Sequence, residues 1–409
     1  MLPFYEKDKA QNIENRGKKM KILIVRSFPD ILNLNAYNVQ EIGLAKALTC
    51  CGIDCDIVLY NGKMPTRTEI YEFERNGKKW NFLIYWLKGI GILKNAFMPS
   101  AFRLLKKYDV IQVHEYDQIM SWMIYSSRKV PVLIYHGPYY HEYAKGYNLK
   151  CRVFDRMFLW WKKYDHVVAF AKSQPAADFL QKKGFQHVYA VGVGLDPGKF
   201  ELKSGEIIPC LLEKNEKKFR LLYVGKIEPR RNVYFLVKLF ESLEKEYSET
   251  ELILVGDGEK KYLQSFLDEI APFIKNGKIK YLKKATQKEL ISIYQNSNLF
   301  VFPSNYEIFG MVLLEAMYFG LPVVSSMNGG ASVLIQEGKN GYILKEFQVE
   351  LWKERIVGIM KDHERYEQMK ENAHQRVISE FLWDRLANQF IKGYKEAIEL
   401  FENSSTEKL

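Results

Sequence analysis

Two glutamates eight positions apart are the residues whose type and spacing best suit chemistry. Glu307 follows an apolar run, and Glu315 lies in the helical pattern that comes next, so we expect one in a loop and the other about two turns into a helix. Gly310, between them, allows a ligand to approach the backbone N–H groups at the helix start, which favour a phosphate. One carboxylate then suits a sugar hydroxyl and the other a ribose, with pyrophosphate between them. The alternative is an amphipathic helix with a capping glutamate.

This stretch, residues 303–324, resembles the E-x7-E signature of retaining GT-B glycosyltransferases, specifically glycosyltransferase family 4. The resemblance covers residues 20–400. It implies an α/β fold of the GT-B type, with two Rossmann-like domains whose parallel sheets face a central crevice. It also implies transfer of a sugar from a nucleotide sugar to an acceptor hydroxyl with retention of configuration. On this basis Glu307 is a catalytic candidate, and the substrate-binding candidates here are Gly310, Met311, Val312 and Glu315.

A basic loop supplies the expected grip on the donor diphosphate. Residues 223–232 look like the family's "GR-x5-K" loop, whose two cations hold the pyrophosphate. Here the cations are exchanged, with Lys226 where Arg is usual and Arg231 where Lys is usual, so the bidentate geometry moves to the second position. Both are candidates for catalysis and substrate binding. The family generally needs no bound metal or other cofactor, because cations and helix-end amides stabilise the departing diphosphate.

Three glycines and one asparagine complete the substrate-binding candidates. Gly256 lies in a "VGDG" turn whose usual role is near the nucleotide, although a tight turn from strand to helix explains it equally well. Gly329 and Gly330 match the Gly-Gly turn that faces the donor sugar. The first-loop Gly-Gly of the family is replaced by Asn35-Ala36, and a Cβ at both positions hinders close approach to the backbone. Asn35 nevertheless remains a substrate-binding candidate.

Two histidines end apolar strands in the first half of the chain. His114 follows residues 109–113, and His136 follows residues 130–135. The family's sugar-contacting histidine occupies one of these two positions, so both are catalytic candidates. The alternative for each is a buried structural histidine. A third candidate pattern, Asp54-Cys55-Asp56, is a D-x-D on a strand far in sequence from the donor loops, and we expect no metal site there.

Two sets of apolar strands alternate with helical stretches, which is typical of parallel sheets covered on both faces. The first set begins at residue 21 and the second at residue 219, with a mixed polar segment between them. The resulting domain prediction is a polar tail over 1–19, an acceptor-side domain over 20–200 and a nucleotide-sugar-binding domain over 201–380. A final helix over 381–409 is expected to cross back onto the first domain.

The excess positive charge lies in the first half of the chain. Residues 1–200 contain 30 Lys and Arg against 18 Asp and Glu, a net +12, whereas residues 201–409 contain 30 against 31, a net −1. A basic half suits nucleic acid, anionic lipid or a phosphorylated substrate. Since no nucleic-acid recognition motif is visible, we expect no nucleic-acid partner.

Residues 80–107 combine aromatic and aliphatic side chains with five basic ones. Basic amphipathic helices rich in aromatic residues lie at membrane interfaces, where anionic lipid attracts Lys and Arg. The alternative is that these aromatic side chains fill the core of the first domain. With the +12 charge, the stretch favours an anionic membrane surface as a partner and a lipid-linked glycan as acceptor.

The remaining composition narrows the class of protein. The sequence has no uninterrupted apolar run long enough to span a membrane, and residues 1–19 lack the apolar region of a secretory signal. Five cysteines without a CxxC pair suit reduced thiols. The prediction is thus a cytoplasmic retaining hexosyltransferase, peripheral on the inner face of the plasma membrane, in cell-surface polysaccharide or lipid-linked glycan synthesis. The alternatives are transfer to a soluble sugar or sugar phosphate, and a nucleotide-sugar epimerase of the same fold.

Overall fold

A computed structural model describes residues 19–34, 36, 38–159, 164–201, 212 and 217–406. Its strands are β1 (Lys21–Val25), β2 (Asp54–Tyr60), β3 (Arg67–Arg75), β4 (Lys78–Leu87), β5 (Ile90–Ile92), β6 (Asn95–Phe97), β7 (Val110–His114), β8 (Val132–His136), β9 (Tyr164–Ala171), β10 (Phe185–Ala190), β11 (Phe219–Val224), β12 (Thr250–Val255), β13 (Ile279–Leu282), β14 (Leu299–Phe302), β15 (Val323–Ser326) and β16 (Gly341–Leu344). Its α-helices are α1 (Gln40–Cys50), α2 (Phe102–Leu105), α3 (Ile119–Ser126), α4 (Lys145–Phe154), α5 (Gln174–Lys182), α6 (Val233–Glu244), α7 (Lys260–Lys275), α8 (Gln287–Gln295), α9 (Met311–Tyr318), α10 (Ala331–Leu334), α11 (Val349–Lys361), α12 (His363–Arg376) and α13 (Trp383–Thr406).

The first sheet, among the described residues, has the strand order β10-β9-β8-β7-β1-β2-β4-β3. Its neighbouring strands are parallel except for β3, which pairs antiparallel with β4. Residues 22–25 of β1 are an unbroken buried apolar run, as a parallel strand covered on both faces requires. One face packs under α1 and α13, and the other packs under α3, α4 and α5.

The second sheet has the order β13-β12-β11-β14-β15-β16, and its described strand pairs are all parallel. Helices connect its successive strands, so each β-strand, helix and following strand form a βαβ unit. The mixed α/β architecture with two parallel sheets confirms the predicted fold class. In such sheets ligands bind beyond the carboxyl ends of the strands, so we expect the loops that follow β7, β8, β11 and β14 to line the site.

Helix α13 returns to the first sheet and packs on α1, β8 and β9. The indole of Trp383, its first residue, lies against two glycines: a Cβ at Gly43 would be 2.2 Å from Nε1, and one at Gly194 would be 2.3 Å from Cδ2. Asp384 accepts two hydrogen bonds from Arg75, at 2.6 and 2.5 Å. Residues 202–211 and 213–216, beside the predicted boundary, lie outside the described residues, and the domain bounds stay predictions.

The structure corrects the prediction of an amphipathic helix over residues 80–107. This stretch forms most of β4, then the β5–β6 hairpin, and only then the short helix α2. Phe82, Ile84 and Trp86 are buried at alternate positions of β4, the period of a strand with one face in the core. The alternative that these aromatic side chains fill the core is therefore right for β4. Among the described residues, no helix combines the length and the apolarity needed to cross a bilayer.

Candidate active site

Glu307 and Arg231, 76 positions apart in sequence, are in direct contact. Glu307 lies in the loop between β14 and α9, and its Oε2 accepts a hydrogen bond from Nη1 of Arg231. The same Nη1 is 3.3 Å from Oγ of Ser304, and the guanidinium lies 5.3 Å from the centroid of the Phe302 ring. Oε1 of Glu307 accepts from the backbone N–H of Ile308 at 3.2 Å. A sugar-binding candidate and a phosphate-binding candidate are thus one ion pair.

Arg230, which the sequence analysis missed, supports this loop. Its Nη1 donates to the backbone carbonyl of Tyr306 at 2.9 Å and lies 4.0 Å from the carboxylate of Glu307. Nε of Arg230 lies 2.6 Å from Glu228, whereas Nε of Arg231 is 3.7 Å from the same carboxylate. Two adjacent guanidinium groups therefore lie beside Glu307, and charge-assisted bonds of this kind are the strong ones in proteins. Sequence reasoning had a signal in the Arg-Arg pair but used only its second member.

Lys226, by contrast, presents an exposed ammonium group at the carboxyl end of β11. Among the described residues, no carboxylate lies within ion-pair distance of it. Its backbone carbonyl accepts a hydrogen bond from the hydroxyl of Tyr223 at 2.8 Å, which fixes the start of the loop. The structure therefore places both predicted cations after β11, one exposed and one paired with Glu307. An anion would meet the first directly and would compete with Glu307 for the second.

Helix α9 begins as the sequence analysis predicts. Gly310 precedes its first residue with φ of 77°, a left-handed conformation that favours glycine, and Met311 and Val312 form the first turn. Glu315 lies on the second turn, where its side chain is buried and Oε2 accepts from the hydroxyl of Tyr294 at 2.9 Å. The spacing of the two glutamates is confirmed as one loop residue and one helix residue. Their environments differ, because Glu315 is buried whereas Glu307 is partly exposed.

The glycines of the candidate site make close backbone contacts. A Cβ at Gly330 would lie 1.6 Å from the carbonyl oxygen of Phe309, and one at Gly329 would lie 2.2 Å from that of Ile308. The N–H of Gly329 also donates to the carbonyl of Glu307 at 3.0 Å. A Cβ at Gly256 would lie 1.8 Å from the carbonyl oxygen of Gly225. These contacts explain why the three positions hold glycine, and ligand contact there stays a prediction.

The two histidines end neighbouring strands of the first sheet, β7 and β8, and both are buried. Nδ1 of His114 is 3.4 Å from Oε1 of Glu41, and Nδ1 of His136 is 2.5 Å from Oε2 of Glu115. Burial lowers the pKa of His114 to about 4, so this ring is neutral at neutral pH. A neutral imidazole can exchange hydrogen bonds with a sugar hydroxyl without adding charge.

Four charged residues around these histidines were missed: Arg26, Glu41, Glu115 and Lys172. Arg26 follows β1 and donates two hydrogen bonds to Asp30, at 3.1 and 3.0 Å. Lys172 follows β9, and its Nζ is 3.7 Å from Glu115. Burial alone would raise the pKa of Glu115. The neighbouring His136 and Lys172 outweigh burial and lower this pKa to about 2. Their positions in the sequence could have indicated three of the four missed residues, since Arg26, Glu115 and Lys172 each come directly after a buried parallel strand.

One group among the described residues has the donor atoms of a metal site, namely Glu115, Asp117 and His136. Lys150 lies 2.8 Å from Asp117, and Lys172 lies 3.7 Å from Glu115, so the carboxylates already have cationic partners from the chain itself. The D-x-D pattern lies elsewhere: Asp56 accepts from the backbone of Leu83 at 2.7 Å and from the hydroxyl of Tyr108 at 2.6 Å. Asp56, the second carboxylate of the pattern, therefore holds neighbouring elements together.

The two halves of the chain meet at the loop that carries Glu307. The hydroxyl of Tyr139, which follows β8, donates to the carbonyl of Glu307 at 3.0 Å. Its ring lies 5.0 Å from that of Tyr306, and the ring of His141 stacks on Tyr306 at 4.9 Å. The amide of Asn38 contacts the sulfur of Met311 at 3.2 Å. Asn35 lies outside the described residues, so its candidate role is neither supported nor excluded.

A change of pH should reveal the burial of His114. Its pKa in the folded state, about 4, lies below the ordinary value of 6.5, so between these values the unfolded chain takes up a proton that the folded chain does not. Stability is therefore lost as the pH falls through this window, by up to about 1.4 kcal/mol per pH unit. Glu41 and Glu115 favour the charged ring, whereas Lys172 and Arg26 oppose it.

We expect His114→Gln to reduce the pH dependence of the free energy of unfolding between pH 6.5 and 4, measured by urea denaturation. The loss of stability caused by Glu115, whose folded pKa of about 2 lies below the ordinary 4.5, begins lower and should remain as an internal control. An unchanged slope between pH 6.5 and 4 in the variant would show that His114 titrates normally in the folded protein.

Comparison with known proteins identifies the second half of the chain. The family model for glycosyl transferases group 1 matches residues 208–376. A probable sucrose-phosphate synthase of Thermosipho melanesiensis is 29% identical over 178 residues, 42% of this chain and 40% of that protein. The capsular polysaccharide biosynthesis glycosyltransferase CapM of Staphylococcus aureus is 25% identical over 210 residues, 50% of this chain and 54% of that protein. The chain thus spans about half the length of these two relatives.

A longer match joins the chain to an uncharacterized glycosyltransferase of Methanocaldococcus jannaschii, which is 25% identical over 368 residues, 84% of this chain and 90% of that protein. Solved structures share the fold over nearly the whole chain. Sucrose-phosphate synthase from Thermosynechococcus elongatus has a TM-score of 0.67 at 16% identity, covering 92% of this chain and 99% of its own.

Two further structures contain nucleotides. The catalytic domain of starch synthase IV from Arabidopsis thaliana, bound to ADP and acarbose, has a TM-score of 0.64 at 13% identity and covers 94% of this chain and 100% of its own. HepE of Anabaena, in complex with UDP, has a TM-score of 0.63 at 15% identity and covers 91% and 99%. At such identities these likenesses establish the fold alone. The chain therefore has the GT-B fold, and its residues 208–376 match the family model for glycosyl transferases group 1.

Proposed function

We propose that the protein is a retaining glycosyltransferase that moves a sugar from a nucleoside diphosphate sugar to an acceptor hydroxyl. The observation that carries this proposal is the ion pair between Arg231 and Glu307, which joins the loops after β11 and β14, with Lys226 exposed on the first of these loops. The second loop contacts Tyr139, which follows β8 of the first sheet. Solved structures of this fold bound to UDP and ADP support a nucleotide donor. The group 1 domain supports the transferase class.

In this proposal the second domain holds the donor. The ammonium of Lys226 and the guanidinium of Arg231 bind the diphosphate, whose negative charge grows as the sugar–phosphate bond breaks. Glu307 then accepts hydrogen bonds from the sugar, and Glu315 accepts them from the ribose. When Arg231 turns to the diphosphate, the carboxylate of Glu307 is released toward the sugar, so the ion pair couples the two halves of the donor site.

Retention follows from attack on the same face as the leaving group. The acceptor oxygen forms the new bond to the anomeric carbon while the bond to the phosphate oxygen breaks. The acceptor proton passes to that phosphate oxygen, so the nucleoside diphosphate leaves with the proton and both electrons of the broken bond. Neutral His114, and His136 beside Glu115, lie at the ends of β7 and β8, where each is proposed to orient a sugar hydroxyl by hydrogen bonding.

The acceptor that the charge distribution favours is a lipid-linked glycan, because the first half of the chain carries +12. CapM is named for capsular polysaccharide biosynthesis, which agrees with this assignment. A soluble sugar phosphate is the second candidate. It is favoured by the two sucrose-phosphate synthases among the similar proteins. The Lys and Arg residues of the first half suit either acceptor, since both carry phosphate.

Proton NMR of donor turnover tests the retaining reaction. We expect the first product, formed by transfer or by slow hydrolysis of the donor, to have the anomeric configuration of the donor sugar. Early spectra are required because free sugars then equilibrate between anomers. The opposite anomer as first product would contradict the same-face step while leaving a glycosyltransferase in place.

A further inference from the structure

Helix α4 presents an apolar stripe and a basic row on its exposed side. Leu149, Val153 and Met157 are 64%, 50% and 57% exposed, four positions apart, and Met157 lies in a wider helical turn, Asp155–Leu159, that continues α4. Residues four apart share a helix face, and the wider turn keeps the third in line with the other two. Cys151 and Phe154, on the opposite face, are buried in the core. The stripe is therefore not an extension of the core.

Within residues 145–159 the exposed charged residues are all basic, and the exposed Glu142 precedes the helix. Lys145, Arg152 and Arg156 are exposed on the same side of the helix, and within the described part of the chain none of them has an ion-pair partner. Asp155, the acidic residue of this segment, bonds instead to the hydroxyl of Tyr116 at 3.0 Å and to the side chain of Lys183. An apolar stripe beside unpaired basic groups is the pattern of a helix that lies in a membrane interface.

A second apolar element lies next to the first. The β5–β6 hairpin exposes Ile90, Ile92 and, at its tip, Leu93, which is 86% exposed. Leu93 and Lys94 both have positive φ, 48° and 62°, an unfavourable conformation for such side chains. A turn of this kind directs an aliphatic and a basic side chain outward together. Lys88 and Lys94 supply positive charge beside the exposed isoleucines.

The hairpin and α4 are connected through the first turn of α3. The backbone N–H of Ile119 donates to Oδ1 of Asn95 in β6 at 2.9 Å. One turn later, the indole of Trp122 donates to the carbonyl of Phe158 at 3.2 Å, with ring centroids 4.6 Å apart. Ile119 itself is 40% exposed. The two apolar elements are thus neighbours on the first domain, and we call them together the α4–hairpin face.

We propose that the α4–hairpin face docks the protein on an anionic lipid bilayer. Docking against a second copy is disfavoured, because it would bring the basic row of one copy toward that of the other. A bilayer with acidic headgroups complements both components, since acyl chains receive the apolar side chains and the headgroups attract Lys and Arg. This proposal replaces the amphipathic helix expected over 80–107 and retains only its hairpin.

The position of the face gives it a role in the proposed reaction. Asn148 of α4 exchanges hydrogen bonds with the backbone of His141, at 2.7 and 3.3 Å, and the ring of His141 stacks on Tyr306, next to Glu307. A single residue, His141, therefore connects a docked α4 with the loop that carries Glu307. A lipid-linked acceptor would reach the crevice without leaving the membrane. This role rests on the proposed function, whereas docking itself can be measured without any sugar transfer.

Vesicle co-sedimentation tests the proposal. The full-length protein should pellet with phosphatidylcholine vesicles containing about 30% phosphatidylglycerol but not with pure phosphatidylcholine. Binding should weaken between about 50 and 500 mM salt, because screening shortens the attraction. Val153→Glu with Met157→Glu should lower the bound fraction at least about tenfold, as should Leu93→Glu with Ile92→Glu. Arg152→Gln with Arg156→Gln should lower it and reduce its salt dependence.

Matched controls lie away from the face. Ile70 is 61% exposed on the edge strand β3, so Ile70→Glu should bind vesicles as the wild type does. Lys260→Gln with Lys261→Gln, on α7 of the second domain, should do the same. Each variant is checked for cooperative unfolding, which shows that it is folded. Its affinity for nucleoside diphosphate is also measured, because the proposed nucleotide site lies in the second domain.

The outcomes separate the two proposals. Wild-type protein that stays in the supernatant with anionic vesicles at low salt overturns the docking proposal, as do face variants that bind like Ile70→Glu. Either result leaves glycosyl transfer to a soluble acceptor intact if the nucleotide still binds. Vesicle binding by a protein that binds no nucleotide would instead contradict the proposed function and leave docking in place.

Discussion

Replacing Arg231 with alanine is expected to lower kcat/KM by about 10²-fold or more, and Lys226→Ala is expected to do the same. Each change removes a cation that stabilises the charge developing on the departing diphosphate. Arg231→Lys keeps the charge but loses the planar fork, so an intermediate activity is expected. The measurement is steady-state kinetics with the preferred nucleotide sugar. Lys275→Ala and Arg355→Ala, exposed cations elsewhere in the same domain, serve as matched controls.

The contact between Arg231 and Glu307 makes the first prediction sharper. Because the two side chains share an ion pair, their effects should not add, and a double-mutant cycle on kcat/KM should show a coupling of about 1 kcal/mol or more. Lys226 has no ion-pair partner among the described residues, so its coupling to Glu307 should be smaller. Activities of Lys226→Ala and Arg231→Ala both within about threefold of wild type would refute the assignment of the donor site.

The two glutamates should separate into two roles. Glu307→Gln is expected to lower kcat by about 10²-fold without lowering the affinity for nucleoside diphosphate, because the carboxylate binds the sugar and only competes with the diphosphate for Arg231. Glu315→Gln is expected mainly to weaken nucleotide binding, by about tenfold, because the affected partner is ribose. Calorimetric titration of the diphosphate product measures the affinity, and initial rates at saturating donor measure kcat.

The hydrogen bond between Tyr294 and Glu315 supplies the control for this prediction. Tyr294→Phe removes a donor from the buried carboxylate but leaves its charge, so it tests whether Glu315 acts on the nucleotide only when it is correctly oriented. We expect a smaller loss of affinity than in Glu315→Gln. Equal losses of diphosphate affinity in Glu307→Gln and Glu315→Gln would show that the division between sugar and ribose is wrong.

The strands of the second domain were predictable because each is a short run of mostly apolar residues. The first of them, Phe219–Val224, begins at residue 219, where the sequence analysis places the start of the second set. Burial on both faces of a parallel sheet keeps most positions apolar, and Arg220 in β11 and Lys280 in β13 are exceptions. The loop after each strand was then predictable as well, which is why Lys226 and Glu307 were found.

The first domain was harder to predict because residues 82–87 of β4 are continuously apolar, although their burial alternates. Phe82, Ile84 and Trp86 are buried, whereas the intervening Leu83 and Tyr85 are partly exposed. Because all five are apolar or aromatic, the sequence did not reveal the two-residue period of the strand. Strands β3, β4 and β10 and the β5–β6 hairpin were missed for this reason or because their residues are polar. The α4 stripe was missed too, since its three exposed apolar residues read as core positions until the structure shows which face is covered.

Side-chain partners across the site could not be predicted from spacing. The contact between Arg231 and Glu307 joins loops after β11 and β14, which are adjacent in the sheet although far apart in sequence. Glu115 and Lys172 meet His136 for the same reason, at the ends of β7, β8 and β9. Strand order, which sequence patterns do not specify, determines these pairs.

Calorimetric binding of UDP, GDP and ADP to the wild type and to the double variant Lys226→Ala, Arg231→Ala tests the donor site most directly. The donor site described above requires that at least one of these diphosphates binds the wild type, with a stabilisation of about 2.7 kcal/mol at 100 times its Kd, and that this binding is lost in the double variant. Binding of none of the three nucleotides, or equal binding to a double variant that unfolds cooperatively, would contradict the assignment.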